Sequence, residues 1–322
     1  MMQNEDLKLY LAPLEGITTY VYRNTMYRLF PEYIDKYYIP FIMPHIKRDM
    51  NTKERRELCR ENNDAPATVP QLLTDSAKDF LRYINILSDM GYDEINLNLG
   101  CPSGTVASKG RGAGFLADPL KLDEFLDEVF SHTGHKISVK TRIGTENTDE
   151  FCKLLEVYNK YPIYELTIHP RLLTEQYRGF AHRESFMYAA LKSKNPLVYN
   201  GDIRNKNDVE ALKLEMQGSG SNTDLRIMIG RGAISDPSIF RQIRGGEPLT
   251  QDELISLLNE VERGYFSFLA NDTQVLFRLK EMWTWLIQTF KGNKKSYKKL
   301  LKSKSLEEFR LWQDAILEEV FQ

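Results

Sequence analysis

The sequence predicts a (β/α)₈ barrel, or TIM barrel, followed by a small C-terminal helical domain. Short and almost wholly apolar runs recur along the chain, and each is followed by a segment with helical spacing. This alternation occurs eight times and stops after Phe240. Parallel strands that are buried on both faces are apolar throughout and need helical crossovers, so the pattern predicts an α/β fold. A doubly wound open sheet is the alternative, but eight units over about 240 residues suit a closed barrel better.

The predicted strands are short apolar runs, and a polar residue or a glycine ends or follows nearly all of them. In chain order they are Leu9–Pro13, Tyr37–Met43, Ala67–Leu72, Glu94–Leu99, Lys136–Lys140, Glu165–His169, Leu197–Asn200 and Arg226–Gly230. The intervening segments carry helix signals. Asp75 or Ser76 can cap a helix that runs to Met90, and Pro119 stands at the start of another. Residues 207–216 have apolar side chains at helical spacing.

We assign residues 1–243 to the barrel and residues 244–322 to the helical domain. A linker rich in glycine and proline follows the barrel. Thr250 and Glu253, three residues apart, then form a capping box that predicts the start of a helix. A second helix is predicted over residues 273–290, and a third follows it.

The composition is that of an ordinary soluble globular protein, with 42% hydrophobic and 27% charged residues. No run approaches the roughly 20 apolar residues of a membrane span, and Met1–Leu7 has no apolar signal core. Cys59, Cys101 and Cys152 are odd in number and widely spaced, which predicts a reduced cytoplasmic protein. No cysteine or histidine pair has metal-ligand spacing, so we predict no metal site. Nothing indicates a protein partner, and a net charge of −2 does not by itself indicate a nucleic-acid binder.

In a barrel of this kind the active site lies at the C-terminal ends of the strands, and a polar or glycine residue follows nearly every predicted strand. The loops after the seventh and eighth strands are the usual phosphate site. Gly201, Gly230 and Gly232 would let backbone N–H groups approach a phosphate, and Arg231 would supply positive charge. The alternative is that these glycines only make tight turns, but their coincidence in both loops favours a phosphate.

Three further side chains at strand ends are candidates for chemistry. Lys140 can stabilise negative charge on a cofactor or substrate, or pair with a barrel carboxylate. His169 can donate a hydrogen bond to a ring carbonyl, transfer a proton, or be structural. Cys101 lies just beyond a strand and can act as a general acid or a nucleophile, or be inert. Cys59 and Cys152 lie in helical patterns and are expected to be inert core residues.

A basic segment near the C-terminus carries seven lysines and no acidic residue. These are Lys291, Lys294, Lys295, Lys298, Lys299, Lys302 and Lys304. A charge run is usually a solvated helix face. Here, however, the lysines are confined to the predicted helical domain, which suits a polyanion such as RNA.

The segment Asn96–Pro102, continuing through Lys109–Leu116, resembles the signature of tRNA-dihydrouridine synthases. Other segments match this family in order and spacing: Ala12–Gly16, Gln71, Lys140–Gly144, His169, Asn200–Asp202 and Gly230–Gly232. The resemblance covers about residues 9–242, and the helical tail is similar in size and position. Leu14 stands where the family often has methionine, and Pro170 where a small residue is common. These departures concern the subfamily more than the reaction.

The resemblance implies a non-covalent FMN in the barrel mouth, NADPH as its reductant and tRNA as the substrate. The family reduces the C5–C6 double bond of a uracil: the flavin gives a hydride to C6, and the cysteine, here Cys101, donates a proton at C5. The implied contacts of the flavin ring are Ala12, Pro13, Leu14, Gln71, Lys140 and His169. Those of the ribityl chain and phosphate are Asn200, Gly201, Asp202, Gly230 and Arg231. Asn98 and Arg142 are expected to contact the uracil, and Lys294, Lys295 and Lys298 the tRNA.

Two other functions remain open at this point. A different FMN barrel, such as a dihydroorotate dehydrogenase-like enzyme acting on a free pyrimidine, would also use a cysteine near the mouth. Such an enzyme would not need the lysine-rich tail. An RNA-binding protein that has lost catalysis would not need Cys101, Lys140 and His169 together.

Overall fold

The computed structural model describes residues 7–45, 50–220, 224–290 and 292–321. In these ranges nine parallel strands form one sheet that curls into a nearly closed barrel. The strands are β1 (Lys8–Leu11), β2 (Lys36–Tyr38), β3 (Thr68–Val69), β4 (Gln71–Leu72), β5 (Glu94–Leu99), β6 (Lys136–Arg142), β7 (Leu166–His169), β8 (Leu197–Tyr199) and β9 (Arg226–Ile229). Their order is β3-β2-β1-β9-β8-β7-β6-β5-β4. The predicted TIM-barrel fold is confirmed.

The third predicted strand is interrupted at Pro70, and is not continuous as we expected. Its first half, β3, pairs with β2, and its second half, β4, pairs with β5. Pro70 has no N–H to donate to a ladder, although its carbonyl accepts a hydrogen bond from the N–H of Asn96 at 2.9 Å. Together β3 and β4 occupy the place of one barrel strand, between β2 and β5, and so connect the two ends of the sheet. The eight predicted units therefore correspond to eight strand positions around the barrel.

The helices of the described residues fall into two groups. Those in the barrel region are α1 (Tyr20–Leu29), α2 (Thr52–Leu58), α3 (Ala77–Asp89), α4 (Gly104–Ala107), α5 (Pro119–His132), α6 (Glu150–Tyr158), α7 (Arg183–Lys192), α8 (Lys206–Gly218), α9 (Arg231–Ser235) and α10 (Ile239–Ile243). Those that follow are α11 (Gln251–Phe266), α12 (Asp272–Leu286), α13 (Lys294–Lys302) and α14 (Leu306–Phe321). Short 3₁₀ helices cover Arg60–Asn62 and Gly112–Ala117.

Several helices begin at the residues that the sequence indicated. The hydroxyl of Ser76 accepts a hydrogen bond from the N–H of Asp79 at 3.2 Å and caps α3. Pro119 is the first residue of α5. Thr250 and Glu253 form the predicted reciprocal capping box at the start of α11. The predicted signals for these three helices are therefore confirmed.

The C-terminal helices pack on the barrel beside β1 and β9. The helix α11 contacts α1, and α12 contacts α9. At the barrel mouth, α12 brings Arg278 so close to Gly16, in the loop after β1, that a Cβ at Gly16 would lie 2.4 Å from Nη1 of Arg278. The indole N–H of buried Trp283 donates to Oε1 of Gln313 at 3.0 Å and ties α12 to α14. In the residues that the structure describes, no helix is long and apolar enough to cross a membrane.

The barrel interior is divided into an apolar side and a polar side. The apolar cluster consists of Tyr10, Ala12, Tyr38, Val69, Val198 and Met228. Alternation along β5, β6 and β7 turns polar side chains inward: Asn96, Asn98, Ser138, Lys140, Arg142, Thr167 and His169. At the N-terminal end, Lys36 forms ion pairs with Glu94 at 2.7 Å and Glu165 at 2.6 Å, so charges there are paired. The polar side therefore reaches the mouth along β5–β7.

Candidate active site

A pocket opens at the C-terminal ends of the strands, where barrel enzymes place their active sites. It encloses about 540 Å³, part of it open to solvent. Its lining residues are Ala12, Pro13, Leu14, Lys140, His169, Tyr177, Asn200, Gly201, Asp202, Ile203, Arg204, Gly230, Arg231 and Gly232. The structure thus brings ten of the eleven residues predicted to bind the cofactor around one cavity, and Gln71 is the exception.

Gln71 is fully buried and belongs to a chain of hydrogen bonds inside the barrel. Its Nε2 donates to Oδ1 of Asn96 at 2.8 Å, and Asn96 Nδ2 donates to the hydroxyl of Ser138 at 2.9 Å. Nδ2 of Asn98 donates to Oε1 of Gln71 at 2.6 Å. The other end of the Asn98 amide, Oδ1, accepts the backbone N–H of Cys101 at 2.9 Å. The chain therefore links the barrel interior to the backbone of the cysteine.

Cys101 follows β5 and is half-buried at the mouth, outside the wall of the cavity itself. Its carbonyl accepts a hydrogen bond from the N–H of Ala113 at 3.0 Å. Gly112, with φ +55, packs so closely that a Cβ there would lie 2.9 Å from the Cys101 carbonyl oxygen. Burial raises the pKa of the Cys101 thiol, although the positive charges of Arg142 and Lys140 oppose the shift. The thiol therefore keeps its proton at neutral pH and can donate it.

Lys140 and Arg142 lie two residues apart on β6 and so turn to the same side of the strand. Lys140 lines the cavity, whereas Arg142 is fully buried. Lys140 makes no hydrogen bond or ion pair with a described residue, so the alternative that it pairs with a barrel carboxylate does not hold. Burial and the charge of Arg142 lower the pKa of Lys140 to about 7. Arg142 donates from Nε to the carbonyl of Gly100 at 3.0 Å and from Nη1 to that of Leu172 at 2.7 Å. Its Nη2 has no hydrogen-bond partner in the described residues, so neither basic side chain is paired with a carboxylate there.

His169 ends β7, and its side chain is buried. Nη1 of Arg171 lies 3.2 Å from Nε2 of the histidine. Because a guanidinium can only donate, Nε2 must be the acceptor. Burial, together with the charges of Arg142 and Lys140, holds the pKa of His169 well below its usual value of 6.5. The imidazole is therefore neutral and carries its proton on Nδ1.

Arg171 is 1% exposed and links His169 to the loop after β8. Its guanidinium pairs with both carboxylate oxygens of Asp202, which also accepts a hydrogen bond from Arg231 at 2.8 Å. Burial raises the pKa of Asp202, but the hydrogen bond and charge of Arg171 outweigh it, so the net pKa is lowered. Asp202 is therefore ionised and holds two arginines in place beside the cavity.

The glycines of the loops after β8 and β9 bring the backbone up to the cavity. A Cβ on Gly201 would lie 2.0 Å from the hydroxyl of Tyr199, and one on Gly232 would lie 2.2 Å from the carbonyl oxygen of Ile203. The backbone N–H groups of Gly201 and Asp202 donate to no other residue that the structure describes. Close packing and an accessible backbone therefore coexist in these loops.

Four residues around the cavity were missed as site residues by sequence reasoning: Arg171, Tyr177, Ile203 and Arg204. Arg171 follows the histidine by two residues, and strand alternation could have placed both on the same side. Tyr177 belongs to an irregular loop that turns at Gln176, where φ is +54. The Tyr177 ring centroid lies 4.8 Å from Cζ of Arg231 and 5.4 Å from Cζ of Arg142. No periodic pattern in the sequence could have indicated this position.

The remaining sequence candidates lie away from the cavity. Lys294, Lys295 and Lys298 are on α13, which packs against α14, and Lys291 lies outside the described residues. Cys59 is partly exposed at the end of α2. Cys152 is exposed on α6, so the expectation that it is a core residue is wrong, because it lies on the solvent side of that helix. No group of three or more His, Cys, Asp or Glu side chains in the described ranges could hold a metal ion.

The barrel, the basic side chains that line its mouth and the protonated thiol beside it define the candidate site of a TIM-barrel enzyme. Histamine dehydrogenase from Rhizobium sp. 4-9 is similar in structure, with a TM-score of 0.52 and 12% identity, over 85% of this chain and 49% of that one. DHODH from Eimeria tenella, solved with ferulenol, has a TM-score of 0.52 and 11% identity, over 78% and 81% of the two chains. At such identities these likenesses show the fold alone.

The family profile identifies the family, and sequence relatives agree with it. A probable tRNA-dihydrouridine synthase 2 of Bacillus subtilis is 25% identical over 309 residues, 93% of this chain and 91% of the relative. The tRNA-dihydrouridine synthase B of Pasteurella multocida is 24% identical over 235 residues, 73% of this chain and 68% of the relative. The dihydrouridine synthase (Dus) family profile matches residues 10–320. The chain belongs to the dihydrouridine synthase family, as the sequence motifs indicated, and is an oxidoreductase.

Proposed function

We propose that this protein is a tRNA-dihydrouridine synthase. With bound FMN, and with NADPH as the reductant, it reduces the C5–C6 double bond of specific uridines in tRNA. The observation that carries the proposal is a Cys101 thiol that keeps its proton beside a cavity with cationic and glycine walls. The family match supports the reaction class, since the relatives named above are synthases of this kind.

The chemistry of the cavity walls fits FMN, which joins a largely apolar ring system to a phosphate dianion. Apolar atoms of Ala12, Pro13 and Leu14 line the cavity, and Lys140 adds a cation without a partner in the described residues. We propose that these residues and His169 contact the ring. Asn200, Gly201, Asp202, Gly230 and Arg231 are proposed to hold the ribityl chain and phosphate. Asp202 would contribute its backbone N–H, because its carboxylate is engaged by two arginines.

When bound, FMN supplies the hydride for C6 of the uracil after accepting it from NADPH. The chain supplies the proton: Cys101 donates from Sγ to C5, so one hydride and one proton add across the double bond. A thiol whose pKa is raised by burial is in the protonated form that this step requires. The thiol is reset when it takes up a proton from solvent.

The uracil is proposed to be held by Arg142 and Asn98. Nη2 of Arg142 is buried and has no partner among the described residues, so it can donate to a uracil carbonyl. Asn98 donates one N–H to Gln71, and its oxygen accepts the backbone N–H of Cys101. A second N–H of Asn98 is therefore left for the base. Gln71 likewise keeps one N–H, which we propose it donates to the flavin edge.

We propose residues 1–243 as the catalytic barrel and residues 244–322 as a tRNA-binding domain. Lys294, Lys295 and Lys298 lie on α13 and make no ion pair with a described residue. A cluster of lysines on one helix binds a phosphate backbone by displacing its counterions. Because the reaction needs tRNA and NADPH, we place the protein in the cytoplasm.

Visible absorbance of the purified protein tests the proposal. Flavin peaks that bleach with NADPH and return anaerobically when unmodified tRNA is added would support it. Return of the peaks with a free pyrimidine, but not with tRNA, would favour the dihydroorotate dehydrogenase-like alternative. A colourless protein that takes up no added FMN would contradict the flavin chemistry and leave an RNA-binding protein.

A further inference from the structure

Phe180 has the largest exposed fraction, 89%, of the large apolar side chains that the structure describes. Single exposed apolar residues are common and need no explanation by themselves. The position of Phe180 is what distinguishes it. Its loop connects β7 to α7 at the C-terminal end of the barrel, and Tyr177, three residues earlier, lines the cavity. The phenyl ring is therefore displayed at the rim of the active site.

The backbone on both sides of Phe180 is held in place. Buried Arg171 donates from Nη2 to the carbonyl of Gly179 at 2.8 Å and from Nε to that of Arg178 at 3.3 Å. On the other side, the N–H of His182 donates to a carbonyl at the start of the loop at 2.7 Å. Gly179 has φ +66, which favours glycine. A ring presented from a fixed backbone loses little conformational entropy when a ligand packs against it.

Two arginines belong to the loops around the mouth. The guanidinium of Arg178, two residues before Phe180, donates to the carbonyl of Thr174 at 3.3 Å, and Arg204 in the loop after β8 lines the cavity. In the described residues neither forms an ion pair. An exposed aromatic ring on a surface that also carries arginines outside ion pairs suits single-stranded nucleic acid, since the cations contact phosphates and the ring stacks on a base. The groove beside Phe180 is lined by Arg183 and by three carboxylates, Glu184, Asp202 and Glu215, each of which is paired with an arginine or a histidine. The centre of a protein–protein interface, by contrast, is depleted of charge.

We propose that Phe180 stacks on a nucleobase of the tRNA next to the uridine that is reduced. The inference rests on the proposed function, because it needs an RNA substrate at the mouth. A base that enters a barrel must leave its stack, and its neighbour then loses a stacking partner. The ring of Phe180 replaces that partner. Since every base has a π-face, Phe180 contributes affinity and orientation and does not select a base.

The position of Phe180 complements that of the C-terminal helices. The helix α12 reaches the mouth beside the loop after β1, whereas Phe180 follows β7, three positions further around the barrel. An RNA strand that contacts both must pass over the cavity between them. The two contacts together would keep the target uridine above the cavity.

The test compares Phe180→Ala, Phe180→Leu and Phe180→Trp, with Leu214→Ala on α8 as a matched control whose side chain is 68% exposed. Binding of fluorescently labelled unmodified tRNA and single-turnover uridine reduction are measured on the FMN-loaded enzyme. We expect Phe180→Ala and Phe180→Leu to weaken tRNA binding by roughly 5- to 100-fold, and Phe180→Trp to retain it. Leu214→Ala should bind tRNA normally, and flavin reduction by NADPH should be unchanged in all variants.

Two outcomes would overturn the inference while the proposed function stands. One is tRNA affinity within twofold of the wild type in Phe180→Ala, which would leave a protein partner as the better explanation of the exposed ring. The other is full affinity in Phe180→Leu, because an aliphatic side chain does not stack. Failure of the wild-type enzyme to reduce tRNA would overturn the proposed function as well, and is recognised in the same assay.

Crosslinking provides a second, independent readout. A photoreactive p-benzoylphenylalanine placed at position 180 should attach to a nucleotide adjacent to the reduced uridine. Because the native side chain is almost fully exposed, this replacement leaves the core intact. A crosslink mapped only to distant nucleotides would rule out the stacking role.

Discussion

The guanidinium of Arg171 donates to Nε2 of His169 across 3.2 Å, and this contact decides which ring nitrogen of the histidine carries the proton. The same arginine pairs with Asp202, which in turn holds Arg231. One buried side chain therefore connects the histidine at the end of β7 with the charged loops after β8 and β9. A disturbance of Arg171 should reach both parts of the cavity.

We expect His169 to be the neutral Nδ1–H tautomer over about pH 6 to 8, because its pKa is held well below 6.5 and Nε2 accepts from Arg171. The ¹⁵N NMR shifts of labelled histidine distinguish the tautomers. Arg171→Lys should weaken this preference while keeping a charge beside Asp202. A wild-type His169 protonated on Nε2 would contradict the assignment.

The low pKa of His169 also predicts a pH dependence of stability. The unfolded chain takes up a proton at this histidine near pH 6.5, whereas the folded protein does not, so the free energy of unfolding should fall as the pH drops below 6.5. His169→Gln should remove that part of the decline in denaturant titrations. His182→Gln is the matched control: burial lowers the pKa of His182, but Glu175 and Glu184 together raise it by more. His182→Gln should therefore lower the free energy of unfolding at acid pH.

Lys140 should strengthen cofactor binding but lower the stability of the folded protein when no cofactor is bound. Burial and Arg142 lower its pKa to about 7, so the fold disfavours its charged form. Lys140→Met should raise the melting temperature of the FMN-free protein and weaken FMN binding by roughly tenfold or more. Lys140→Arg, which keeps the charge, is the control. Unchanged FMN affinity in Lys140→Met would remove Lys140 from the cofactor site.

The same pKa predicts how FMN affinity depends on pH. Above about pH 7 the free site has lost the Lys140 proton, which must be regained when an anion binds. The Kd for FMN should therefore rise as the pH increases from 7 to 9, and this rise should be absent in Lys140→Met. Fluorescence quenching of free FMN measures both curves.

The lysines of α13 should control tRNA affinity and its salt dependence. Replacing Lys294, Lys295 and Lys298 with alanine should weaken tRNA binding and lower the slope of log K against log salt by about 0.7 to 0.9 for each phosphate that is no longer neutralised. Lys192→Ala combined with Lys194→Ala, at the end of α7, controls for the removal of exposed charge. Equal slopes in the two variants would contradict a specific role of α13.

The sequence could predict much of this arrangement because strand ends meet at one edge of a parallel barrel. Residues as distant as Ala12, Lys140 and Gly230 were placed in one cavity on that basis. The break at Pro70 was missed because the run around it is apolar, and only the missing N–H of proline interrupts it. Tyr177 was missed because an irregular loop has no period from which a direction can be inferred.

Hydrogen bonding within the site was less predictable than its location. Asn98 was selected as a substrate contact, yet most of its amide holds Gln71 and the backbone of Cys101. Such partners depend on rotamers and on loop backbones, which composition and spacing do not determine. For the same reason Arg171 was visible as a residue after a strand, but its link to Asp202 was not.

Cys101→Ala should separate the two half-reactions of the proposed mechanism. FMN should still bind and NADPH should still bleach it, whereas uridine reduction should fall by about a hundredfold or more, as for a lost general acid. Cys152→Ala removes an exposed thiol on α6, distant in sequence from Cys101, and should leave both half-reactions intact. Normal turnover of tRNA by Cys101→Ala would exclude the thiol as the proton donor.

Two glycines near the cysteine allow its placement to be tested separately from backbone strain. Gly110 and Gly112 have φ values of +68 and +55, so alanine is strained at both and should cost about 1 kcal/mol of stability in each variant. Only at Gly112 would the new Cβ meet Cys101, at 2.9 Å from its carbonyl oxygen, since nothing lies within 4 Å at Gly110. Gly112→Ala should therefore slow uridine reduction by roughly tenfold or more beyond Gly110→Ala, because small displacements of a reacting group are costly. Stopped-flow flavin reoxidation by tRNA measures this difference, and equal rates in the two variants would show that the packing of Gly112 does not position the thiol.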